Sequence, residues 1–115
     1  MTSVRFVPAE YRMEISGHAG TGKPGEDLCC AAASALTFAL ANAARDEDSY
    51  HAQVLIDPEN AAVKVQCEPE EPALCEEMFR VILHGLVVLK MRYPGYVKIT
   101  IEDSIPQSAD ADSPL

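Results

Sequence analysis

The chain has 115 residues, of which 48% are apolar, and a formal net charge of −9 from 18 acidic and 9 basic side chains. That length fits one domain with a real core. The acidity repels phosphate backbones, so direct nucleic-acid binding is not expected, whereas a basic polypeptide would be attracted.

In chain order, Val4 to Val7 alternates apolar and polar residues and stops at Pro8, which predicts a short edge strand. Tyr11, Met13 and Ile15 alternate with Arg12, Glu14 and Ser16, the period of a half-buried strand. The link between the two is short, so they are expected to pair antiparallel. Leu28 to about Ala44 contains eight alanines with Leu28, Leu36, Phe38 and Leu40, which predicts a helix. Having no clear polar face, it is expected to be buried on most sides. Gln53–Ile56, the turn Asp57-Pro58-Glu59-Asn60 and Ala61–Cys67 read as a hairpin. Glu70-Glu71-Pro72 announces a second helix running to about Tyr93. Leu74, Met78, Val81, Ile82, Gly85, Leu86, Val88 and Leu89 mark its apolar stripe, and Gly85 its crossing with the alanine-rich helix. Pro94-Gly95 turns the chain into a strand from Tyr96 to Glu102.

The expected fold is therefore α+β, in the order ββαββαβ. A mixed, mostly antiparallel five-stranded sheet would carry both helices on one face. Residues 1–103 form one domain in this reading, and 104–115 an acidic, disordered tail. The opening residues Met1-Thr2-Ser3-Val4 suggest no signal peptide, which points to a cytoplasmic protein without a membrane anchor.

Chemistry concentrates between Ile15 and Leu40, where a strand end, a glycine-rich loop and a helix start follow one another. His18 stands at the strand exit and Cys30 at the helix entrance, with Gly20, Gly22 and Gly25 between them. The glycines let the loop fold back and bring the two ends together. Asp27 is the natural N-cap, which puts Cys30 near the third helical position, where the helix dipole favours a thiolate. Thiolate and imidazole together are the minimum for nucleophilic catalysis. Cys29 and Cys30 differ by about 100° around the helix, so only one can face the loop. Asp27 reads either as a cap or as an orienter of His18. Ser34, one turn after Cys30, could face the same site or bond back to its own helix. The helix-start amides are candidates for an oxyanion hole. His51 and His84 lack any such context, and His84, beside the apolar stripe, reads as a structural histidine. Neither C-x-x-C nor zinc-like histidine spacing occurs, so no metal or other cofactor is expected. The four cysteines do not form a disulfide framework either.

Gly17-His18-Ala19, the glycine-rich gap and Gly25-x-Asp27-Leu28-x-Cys30-Ala31-Ala32-x-Ser34-Ala35-Leu36 resemble the signature of the ribosomal-processing cysteine proteases, the Prp family. The ending Tyr93-Pro94-x-Tyr96-Val97 is similar as well. The resemblance implies an α/β sandwich, a homodimer and a cysteine endopeptidase. Its substrate would be a bacterial large-subunit ribosomal protein precursor, which it would trim of an N-terminal extension. By the same resemblance Cys30 is the nucleophile and His18 the general base. Cys29 departs from the family, which usually carries an aliphatic residue there. Two other readings compete: a non-enzymatic, ribosome-associated binding module, and a redox sensor built on the adjacent cysteines.

Overall fold

Five strands form one mixed sheet in the order β3-β4-β2-β1-β5, with two long helices on one of its faces, in a computed structural model that describes residues 1–17, 28–59 and 61–102. The elements are β1 (Thr2–Val7), β2 (Arg12–Ser16), α1 (Leu28–Asp46), β3 (Gln53–Asp57), β4 (Ala62–Gln66), α2 (Pro72–Arg92) and β5 (Val97–Ile101). This is the expected order. One-turn 3-10 helices at Pro8–Glu10 and Asp48–Tyr50 bridge β1 to β2 and α1 to β3. The expected tail, 104–115, lies outside the described residues.

Strand alternation sorts the side chains. Thr2, Val4 and Phe6 of β1, Met13 and Ile15 of β2, and Val63 and Val65 of β4 are buried beneath the helices. The other face carries Arg5, Arg12, Glu14, Lys64 and Lys98. There Arg12 pairs with Glu10 at 3.0 Å, and Arg5 hydrogen-bonds Glu102 at 2.9 Å. Such exposed pairs contribute little individually.

Beneath α2 lie Cys75, Phe79, Ile82, Leu86 and Leu89, and the Phe79 ring meets Phe6 with centroids 5.5 Å apart. Gly85 is the crossing point with α1, because a Cβ there would approach Leu36 Cδ2 at 2.7 Å. Pro72 opens α2, where a missing N–H costs nothing, and Lys90 and Arg92 sit favourably at its negative end.

Three expectations are corrected. β1 is not an edge strand: it lies between β2, antiparallel, and β5, parallel, with Val4 opposite both Ile15 and Ile99. α1 is not buried on most sides. Cys29, Ala33, Thr37, Leu40, Ala41 and Ala44 face inward, while Leu28 and Phe38 are exposed. By length and composition α1 could cross a membrane, yet here it packs as a core helix against α2, β3 and β4. The stripe expected on α2 merges two faces, since Leu74, Val81 and Val88, seven residues apart, are exposed to one side of the buried set. His84 is likewise an exposed residue of α2.

Candidate active site

The site lies at the end of the sheet where β2 and β3 finish and α1 begins. β2 exits through Gly17, whose φ of +90° is a left-handed conformation. A Cβ there would run into the Met1 carbonyl oxygen, so the position demands glycine. Fixing this exit sets the direction in which the chain leaves the sheet toward His18.

Cys30 is the third described residue of α1 and is partly exposed. Cys29 is fully buried and packs with Ala33, Leu89 and Val97. The rotation between adjacent helical residues thus separates a thiol in the core from one at the surface.

Cys30 opens onto a cavity of about 240 Å3. One wall is α1, with Cys30, Ser34 and Phe38; the opposite wall is the β3–β4 hairpin, with Ile56, Asp57, Pro58 and Ala61. Thr2, Ile15, Gly17 and Val63 complete it from the sheet. Ser34 is exposed and, as expected from its spacing, lines the cavity with Cys30. The lining is mostly apolar, which suits binding of an uncharged side chain. Its two buried hydroxyls differ in their bonding. Thr37 Oγ1 donates to the Ala33 carbonyl at 2.7 Å, whereas Thr2 Oγ1 has no partner among the described residues.

The hairpin wall is shaped by its turn. Asp57 Oδ1 accepts from the Glu59 amide at 3.1 Å, and Ala61 takes the left-handed conformation at φ +49°. The backbone is thereby folded tightly enough to set Pro58 and Ala61 beside the helix start.

Of the predicted site residues, Cys30 and Ser34 are brought into one cavity, and Gly17, the neighbour of His18, lines it too. His18 and Asp27 lie outside the described residues. His51 lies elsewhere in the chain, paired with Glu70 at 2.6 Å. Sequence reasoning missed Thr2, Ile56, Asp57 and Pro58 as site residues. Their only signal was the turn chemistry of Asp57-Pro58, which marks a hairpin without saying what it faces. None of the four cysteines is joined in a disulfide. Burial pushes the Cys67 thiol up to about 12, helped by neighbouring Cys75, and burial raises Cys75 as well. These two thiols belong to the core, not to the site.

Comparison with known proteins bears on the family and the fold. The family model "Cysteine protease Prp" matches residues 1–98. Among solved structures, the fold is similar to that of the essential ribosomal processing protease Prp from S. aureus with a covalently linked product peptide. The TM-score is 0.78 at 22% identity, covering 89% of this chain and 100% of that one. The same S. aureus protein with a substrate peptide gives 0.73 at 21% identity, with the same coverage. SMU.848 from Streptococcus mutans gives 0.67 at 22% identity, covering 90% of this chain and 93% of that one. No curated protein sequence matches significantly. With residues 1–98 matched by the family model, the chain belongs to the cysteine protease Prp family.

Proposed function

We propose that this protease removes an N-terminal extension from a bacterial large-subunit ribosomal protein precursor, with Cys30 as nucleophile and His18 as general base. The observation that carries the reading is the placement of Cys30 in the first turn of α1, on the same cavity as Gly17, the residue before His18. The S. aureus relatives, described as ribosomal processing proteases and holding product or substrate peptides, supply the substrate class. The net charge of −9 favours a basic polypeptide of that kind.

In this mechanism His18 takes the Cys30 thiol proton and Sγ attacks the scissile carbonyl carbon. The oxyanion forms against first-turn amides of α1. Collapse breaks the C–N bond, and the leaving amine receives the proton held by His18. Water, deprotonated by the same imidazole, then hydrolyses the thioester and frees Sγ. Asp27 would cap α1 or orient His18, and Ser34 would hydrogen-bond the peptide.

The protein is further proposed to act in the cytoplasm as a homodimer. The exposed apolar residues Leu74, Val81, Val88 and Met91 on α2 support the dimer, because a stripe of this kind is a natural contact surface. Incubation with the ribosomal precursor tests the main reading. Wild type should yield a shortened product by mass spectrometry and Cys30→Ala none. Full cleavage by Cys30→Ala would refute the assignment.

A further inference from the structure

Among the described residues, β3 is an edge strand with β4 as its one neighbour. Its open side can be identified from the hydrogen bonding. Gly17 N donates to Ala61 O and Cys67 N to Tyr11 O, so odd-numbered residues of β4 turn their backbone groups toward β2. Even-numbered residues, Ala62, Lys64 and Gln66, therefore turn theirs toward β3, where they face Asp57, Leu55 and Gln53. Val54 and Ile56 are left with N–H and C=O pointing away from the sheet.

That open edge runs beside the catalytic cavity. Ile56 and Phe38 line the cavity at Cys30, and both also line a second hollow of about 450 Å3 with Asn42 and Arg45. The two hollows share a wall and form one trough between α1 and β3, from Cys30 to Arg45. Fifteen helical steps correspond to roughly 22 Å, the length of about six or seven extended residues.

We propose that the polypeptide substrate binds in this trough as an added strand on β3, bonded to the backbone of Val54 and Ile56, with alternate side chains directed between Phe38 and Ile56. Strand addition gives affinity through the main chain and specificity through every second side chain. The proposal rests on the reading of the chain as a peptide-cleaving enzyme and adds where, and in what conformation, the peptide is held. The occupant is a polypeptide because the trough is continuous with the cavity that holds the thiol, and because its unsatisfied groups are those that a peptide backbone complements.

The test uses synthetic peptides that span the junction of the ribosomal precursor, N-methylated at one backbone position at a time. Binding to the Cys30→Ala full chain is read by fluorescence anisotropy, and cleavage by wild type in parallel. Strand addition predicts losses of about tenfold or more at every second residue and small effects between them. Losses without that alternation, or no binding of the parent peptide to Cys30→Ala, would overturn the proposal. Alternating losses in binding without cleavage by wild type would sustain the strand and refute the protease reading. Val54→Pro removes one outward N–H at a position where edge strands tolerate proline, and should weaken binding about tenfold. If it instead splits a dimer in sedimentation and leaves peptide binding intact, the edge belongs to a second copy and the proposal falls.

Discussion

Replacing Gly17 with alanine probes the link between the sheet and His18, the proposed general base. At φ +90° a residue with a Cβ is strained, at a cost of about 1–3 kcal/mol. The new methyl would also collide with the Met1 carbonyl, which cannot turn aside as a side-chain tip could. Met1 must then shift, which endangers the bond from Thr2 N to Tyr96 O, 3.0 Å long, worth about 1 kcal/mol. The sum is about 2–4 kcal/mol. Urea unfolding should report it as a lower midpoint at unchanged slope. Gly95→Ala is the control, because nothing lies within 4 Å of its would-be Cβ, so it should stay within about 0.5 kcal/mol of wild type. Gly17→Ala with a loss below about 0.5 kcal/mol would refute the argument. Cleavage should fall further than stability alone explains when measured well below the unfolding midpoint, because the direction of exit toward His18 has changed.

Four other outcomes follow from the same structure. Native protein treated with iodoacetamide should be alkylated at Cys30 by peptide mapping, with Cys29, Cys67 and Cys75 protected by burial until urea is added; early labelling of Cys67 would contradict the core. Phe79→Ala should destabilise by about 3–5 kcal/mol in the same unfolding assay, because the ring is 1% exposed and stacks against Phe6. Thr2→Val keeps the shape of the side chain and removes a buried hydroxyl without a partner among the described residues, so stability should rise by about 1 kcal/mol; a comparable loss would mean that the hydroxyl is bonded. Above pH 9 stability should decline. The folded state holds the Cys67 proton up to about 12, against 9.0 as the ordinary value, so the stabilisation is complete below 9 and is lost as pH rises toward 12. At pH 10 that thiol alone accounts for about 1.4 kcal/mol. Cys67→Ala should flatten the decline, and an unchanged slope would rule that thiol out as its source.

The order of elements was legible because each carries a local signal: alternation in β2 and β4, Asp57-Pro58 at the turn, and Pro72 and Pro94 around α2. What eluded sequence reasoning was long-range. β1 reads as an edge strand because its parallel partner β5 comes from the other end of the chain, and nothing near Thr2 announces Val97. The alanines of α1 conceal its orientation, since the same residue type serves the core at Ala41 and the surface at Ala39. In α2, Leu74, Val81 and Val88 repeat as regularly as the buried set, so periodicity finds two stripes and cannot rank them. Helical rotation together with family resemblance separated Cys30 from Cys29 in the sequence, and the structure buries Cys29 while leaving Cys30 partly exposed. The opposite wall of the cavity, Ile56 to Ala61, was not, because only the packing of the hairpin against α1 brings it there.

The most direct test of the central claim is covalent. A chloromethyl ketone built on the amino-side sequence of the precursor junction should attach to a single cysteine and abolish cleavage. Mapping the adduct to Cys30, with its loss in His18→Ala at neutral pH, is the predicted result. An adduct on Cys29, or full cleavage by enzyme alkylated at Cys30, would contradict it.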